Sequence, residues 1–226
     1  MLLMATAPEQ RSAPDPAPPG VRGPRWGLWI TVLLIVATTG QLAVATLASG
    51  LPQFEGKAFG SRLVFYPLLM TAPVLVWCGV AHRRRSTGPL PWTACAFVCA
   101  PFFIDVTGNT LDLYDSLEWW DDLNHFVNWL LLCLGIGLML TRTSVRQAWA
   151  LGTLVAGIGA LLAISWELAE WYTFIRHGTE LDTAYTDTLG DEAFGTLGAA
   201  VAGVLLGWRQ VRQGRGGRRQ VPQKVR

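Results

Sequence analysis

The chain has 226 residues, of which 51% are hydrophobic and 15% charged, with 18 basic residues against 16 acidic ones. A soluble domain usually carries about 25% charged residues, so the composition excludes an ordinary soluble enzyme and a disordered protein. With four cysteines in the whole chain it also excludes a disulfide scaffold. What it favours is an all-α, polytopic transmembrane bundle.

Residues 1–25 contain the run PDPAPPG and read as a disordered, proline-rich cytoplasmic leader. Ala43-Val44-Ala45 resembles a signal-peptidase site. The apolar run around it is longer than a signal core, however, so this first segment is expected to stay as an anchor. Nearly charge-free runs predict six spans, near 27–48, 63–81, 91–111, 123–141, 148–174 and 188–208, each near the about 20 residues needed to cross a bilayer. The last is the weakest, being short and glycine-rich. The membrane domain is thus expected over 26–208 and a basic cytoplasmic tail over 209–226.

Lysine and arginine orient the bundle. Both tails and the second and fourth loops hold 15 of the 18 basic residues, and only Lys57, Arg62 and Arg176 fall on the other side. The acids divide the opposite way, with 14 of 16 facing Lys57 and its two companions. Both termini are therefore expected in the cytoplasm of a bacterial cell, in its plasma membrane. Trp26, Trp92, Trp119, Trp120, Trp149, Trp171 and Trp208 fall near span ends, where interfacial tryptophan is common.

Cys78, Cys95, Cys99 and Cys133 all lie inside predicted spans and read as small buried hydrophobes. Gly195, Ala199, Gly203 and Gly207 recur every four residues along the sixth span. Such a stripe lets another backbone approach closely, and a neighbour in the same chain or in a second subunit fits it equally.

The functional signal is the placement of ionisable groups. A charge at the bilayer centre costs roughly 2.5–3.5 kcal/mol on insertion scales, yet four spans carry such groups, all toward the non-cytoplasmic end. Asp105, Asn109 and Asp112 share one face of the third. Asp121 and Asp122 stand four and three residues before His125 in the fourth. Glu167 and Glu170 are i,i+3 neighbours in the fifth, and Asp187 and Asp191 are i,i+4 neighbours in the sixth. The fifth loop adds His177, Glu180 and Asp182; Glu118, Glu180, Asp182 and Glu192 read as solvated.

If these faces converge, the like charges repel and need a compensating partner. A bound cation, shared protons, or pairing with Arg176, Lys57 or Arg62 would each serve. Several carboxylates, one imidazole and no thiolate suit a divalent metal cation such as Mg, Mn, Fe, Zn or Ca. Asp122, His125, Asp187 and Asp191 are the candidate ligands. Glu167 and Glu170 are the candidate catalytic bases, and Asp105, Asn109, Asp112 and Asp121 are further polar members of the site.

The ordered pieces D-x-x-G-N at Asp105–Asn109, Y-D at Tyr114-Asp115, D-D-L-x-H-F at Asp121–Phe126 and W-E-x-x-E at Trp166–Glu170 carry a resemblance. So do G-T at Gly178-Thr179, D-T-x-x-D at Asp187–Asp191 and G-A at Gly198-Ala199. Together they resemble the uncharacterised bacterial integral-membrane family called YjdF-like, and more distantly VanZ-like membrane proteins. The YjdF-like resemblance implies a multi-span inner-membrane protein without an assigned activity. Asp122, Glu170 and Gly195 stand where the VanZ-like pattern has lysine, glutamine and asparagine, and these departures tell against an antibiotic-resistance role.

Two uses of the acidic site remain open. One is a metal-dependent enzyme at the outer leaflet, acting on a lipid or envelope substrate. The other is an ion- or proton-coupled carrier or accessory membrane protein. A polar knot that only fixes helix register is the plain alternative. No phosphate-binding glycine loop or nucleophile elbow is present. The basic tail, with RGGRR at 215–219, is expected to touch anionic lipid rather than nucleic acid.

Overall fold

A computed structural model describes residues 26–84, 88–143, 145, 147–173, 175–177 and 183–218. The expected leader, the end of the basic tail, the Gly178-Thr179 motif, Glu180 and Asp182, and the His177 side chain lie outside the described residues. Among the described residues seven α-helices follow one another: α1 (Trp26–Leu47), α2 (Phe59–Arg84), α3 (Trp92–Thr110), α4 (Leu113–Ser116), α5 (Trp120–Leu140), α6 (Ala148–Thr173) and α7 (Ala184–Arg218). Short 3-10 turns sit at Pro52–Phe54 and Ile175–His177, and there is no strand among the described residues.

Five of these helices, α1, α2, α5, α6 and α7, are long and apolar enough to cross a membrane. The third expected span, α3, has the length but carries Asp105 and Asn109 near its end, and it packs between α1 and α5 with Ala94, Cys95, Val98, Cys99 and Val106 buried. The outer surfaces are apolar: Leu33, Val36, Leu68, Leu75, Leu161 and Val204 are all exposed. A soluble bundle would place polar residues there; here the outward faces are solvated by lipid chains.

Contacts between small residues set the direction of each helix. Gly27 opens α1 against Trp92 and Thr93 at the start of α3. Gly135, late in α5, lies on Ala94 and Val98, and Gly207, late in α7, lies on Ala148 at the start of α6. Consecutive long helices therefore alternate, and Trp26 and Arg218 finish at the same end. Arg83, Arg142, Arg209 and Arg212 gather there, whereas Arg62, Asp105, His125, Glu167 and Asp191 lie at the opposite end.

The span expected to be weakest is the longest helix, with 35 residues. Its glycines are contact points rather than breaks. A Cβ on Gly203 would stand 2.5 Å from the Gly152 carbonyl oxygen, one on Gly198 2.3 Å from the Phe126 carbonyl oxygen, and one on Gly195 2.6 Å from the Trp129 ring. Backbones this close gain dispersion contacts that offset the poor helix propensity of glycine. The small-residue stripe thus meets α5 and α6 of the same chain. The helix also runs past the expected limit at 208, held by Gln210 donating to the Val145 carbonyl at 3.2 Å and by Arg212 lying over the Trp208 ring.

The polar end of the bundle

The acids do not form one pool. They divide into two neighbouring clusters, and only one has its own cations.

The first gathers around α3. Asp105 sits where the helix approaches its end, and its carboxylate accepts four hydrogen bonds. Arg62 of α2 donates at 2.6 Å, Tyr66 at 2.7 Å, Tyr114 of α4 at 2.9 Å and Asn109 at 3.1 Å. Asn124 of α5 donates to the Tyr114 hydroxyl and in turn accepts from Asn128 at 2.9 Å. Burial, reinforced by the charge of Asp105, pushes the Tyr114 phenol well above its usual range, so it stays a donor.

One turn further on the chain reverses through Asp112, which adopts the left-handed conformation at φ 59°. Aspartate tolerates that geometry better than most residues, and it turns the carboxylate back toward Lys57. The ammonium lies 2.5 Å from Asp112 and 2.7 Å from Asp115. The hydrogen bond from Lys57 holds the Asp112 carboxyl below its ordinary value. Burial opposes charge on Lys57, yet its bonds to both aspartates outweigh that and raise the amine. Asp105, Asn109 and Asp112 are thereby brought together, with pairing supplied by Arg62 and Lys57. Among the described residues Arg176 forms no ion pair with this cluster; its guanidinium lies over the Tyr172 ring.

The second cluster is centred on His125, in the first turns of α5. The ring is 9% exposed. Asp121 Oδ1 lies 3.6 Å from Nε2, Asp191 Oδ1 of α7 lies 3.6 Å from Nδ1, and Glu167 Oε1 of α6 lies 3.9 Å from Nδ1. Glu167 and Asp191 are themselves buried. These separations exceed hydrogen-bond length, and Nδ1, fully buried, has no hydrogen-bond partner in the described structure. One ligand atom each from Asp121, His125 and Asp191 falls within 4.8 Å of the others. Among the described residues no lysine or arginine forms an ion pair with this cluster.

The remaining site candidates stand at its margin. Asp122 faces α7, close enough that a Cβ on Gly190 would stand 3.3 Å from its Oδ1. Asp187 is exposed, and Glu170 is half-buried, placed where it feels the charges of Glu167, Arg62 and Asp105. Of the two adjacent aspartates, the one against the imidazole is therefore Asp121. Trp166 packs on Tyr66 with ring centroids 6.3 Å apart, against the core that includes Leu42, Phe59 and Val106, and the next residue, Glu167, is buried beside His125. Tyr66, Asn124 and Asn128 do not stand out in the sequence, and Tyr114 enters only through the Y-D piece of the resemblance. The i,i+4 pair of asparagines inside an apolar run is the one signal that could have marked them.

A helical bundle with apolar outer faces and ionisable groups confined to one rim defines a polytopic integral membrane protein. The comparison with protein families agrees: residues 34–213 match the model described as Predicted membrane protein (DUF2238), and the chain belongs to that family. No curated protein and no solved structure matches it.

Proposed function

We propose that this is a multi-pass protein of the bacterial plasma membrane that holds a divalent cation at its extracytoplasmic end, for hydrolytic chemistry on a lipid or lipid-linked envelope substrate. The observation that carries the reading is the buried, unpartnered Nδ1 of His125 between two buried carboxylates. An orphaned polar atom in such a place costs about 1–3 kcal/mol, and an accompanying excess of negative charge costs more. A cation removes both costs.

Ligand atoms about 2.0–2.2 Å from a metal such as zinc stand about 3–3.6 Å apart. Asp191 and Glu167 lie 3.6 and 3.9 Å from Nδ1 and would both close on a bound ion, beside Asp121, whose carboxylate lies with His125 and Asp191 within 4.8 Å of one another. His125 Nδ1, Asp191 and Glu167 are the proposed ligands. Asp121, 3.6 Å from Nε2 on the opposite side of the ring, is the proposed positioning residue; in the metal-bound form it would close to a hydrogen bond that keeps the proton on Nε2 and Nδ1 bare. When bound, the cation would act as a Lewis acid and make a water more acidic. Glu170, next along the face of α6, is the proposed base.

Orientation rests on the arginine-rich end being cytoplasmic, with the basic tail against anionic headgroups. Within the family, the likeness to the YjdF-like set is the closer one proposed. A carrier would need a passage from the rim inward, and the close contacts of Gly137, Gly152, Gly159 and Gly203 fill the other half of α5–α7.

Metal analysis of detergent-purified protein tests the reading. The wild type is expected to retain close to one divalent ion per chain, and a Glu167→Gln/His125→Ala variant none. Equal metal in the two proteins overturns it.

A further inference from the structure

A groove of about 450 Å³ runs between α6 and α7, lined by Ile164, Glu167, Leu168, Trp171, Thr188 and Glu192. Ile164, Leu168 and Trp171 are exposed, and so are Leu161 and Leu189 beside them. In a spanning helix pair, a groove walled by exposed apolar residues at the polar rim can be reached from the bilayer. Its inner wall is Glu167, which also belongs to the His125 cluster. A bilayer lipid can therefore enter sideways and bring its polar head to the site without leaving the membrane.

Charge narrows the head group. Glu192 lies on the rim and has no ion-pair partner among the described residues. With Glu167 deeper in, the groove presents two carboxylates and no base. A purely anionic head is repelled there, whereas an ammonium is attracted to Glu192. We infer that the groove takes an amine-bearing zwitterionic phospholipid of the outer leaflet, its chains along Ile164 and Leu168, its ammonium at Glu192 and its phosphate turned toward His125. The phosphate end of this arrangement rests on the cation proposed above; the ammonium end stands on Glu192 alone.

The test uses the full chain in nanodiscs of equal parts phosphatidylethanolamine and phosphatidylglycerol. The protein is transferred to detergent, and the retained lipid and the metal content are measured by mass spectrometry on the same sample. Phosphatidylethanolamine is expected in about threefold excess or more over phosphatidylglycerol, a ratio consistent with one partly screened charge contact. Glu192→Gln should bring the ratio to unity, and Ile164→Trp, which fills the groove from an exposed position, should remove most retained lipid of both kinds. Neither change touches a proposed ligand, so metal content should hold. An unbiased ratio in the wild type, or the same bias in both variants, overturns the inference whatever the metal result. A bias that survives with no metal bound sinks the cation reading and leaves the ammonium contact standing.

Discussion

Arg62 and Asp105 face each other at 2.6 Å across the α2–α3 contact, each side chain only 15% exposed. The pair is 43 residues apart in sequence and ties the start of one helix to the end of another. Two tyrosines and an asparagine complete the carboxylate's shell, so no lone pair is left without use. Breaking such a pair on one side strands a charge, whereas replacing both members with apolar groups of similar size is far milder. Arg62→Met is therefore expected to cost roughly 3 kcal/mol, and Arg62→Met/Asp105→Leu distinctly less. Thermal unfolding of the purified variants in one detergent checks this. A double variant as unstable as the single would mean that packing, not stranded charge, sets the cost.

The pair at Lys57 makes stability depend on pH in a stated direction. Asp112 has its folded value depressed by the Lys57 hydrogen bond. Its contribution is present above the ordinary carboxylate value near 3.8 and disappears as pH falls through the depressed one. Lys57 is raised above 10.5 by Asp112 and Asp115, against the effect of burial. That contribution is present below 10.5 and disappears as pH climbs through the raised value. Melting temperature against pH should show a plateau between the two limits, with Lys57→Met lower across the plateau and flatter at both edges. Parallel curves for the two proteins would rule the linkage out.

Adjacent aspartates should behave differently. Asp121 lies against His125 Nε2, whereas Asp122 faces Gly190 of α7. Replacing a carboxylate that orients a ligating imidazole typically weakens metal binding about 10–100-fold. Asp121→Asn is expected to do so in a calorimetric titration with zinc or manganese, and Asp122→Asn to change affinity less than about threefold, as expected of a charge outside the coordination sphere. Equal losses would show that net charge alone governs the site.

Two glycines offer a packing test. A Cβ at Gly198 would stand 2.3 Å from the Phe126 carbonyl and 3.0 Å from the Leu130 nitrogen, backbone atoms that have little freedom to move. Gly157 has nothing within 4 Å of the same position. Gly198→Ala should destabilise by about 1–3 kcal/mol and lower metal retention, because it pushes α5 away from α7 one residue beyond His125. Gly157→Ala should be neutral or gain up to about 1 kcal/mol from helix propensity. Denaturation midpoints of the two variants decide the matter.

Much of this arrangement can be read from the chain alone, for a definite reason. Lipid exposure demands long apolar runs, so α1, α2, α5 and α6 begin and end within a few residues of where charge-free stretches predict. The length of α7 was hidden because its glycines weaken local helix preference; the compensating partners, Gly152 and Phe126, are distant in sequence. The single acidic pool was divided by contacts of the same kind. Lys57 and Arg62 reach Asp112 and Asp105 across 55 and 43 residues, and counting bases against acids reveals nothing about which acids they serve. The choice of Asp121 over Asp122 has another origin. Both i,i+3 and i,i+4 spacings place a side chain beside His125, and only the rotation of α5 against α7 separates them.

Asp105 has one more effect on its surroundings. Arg62 is near enough to Glu170 for their charges to interact, so without its aspartate the guanidinium becomes a counter-ion on a leash. A tethered group of this sort acts at millimolar effective concentration or above. By keeping the arm occupied, Asp105 holds Arg62 away from the acids of α6, and its loss would free a built-in cation to pair with Glu170.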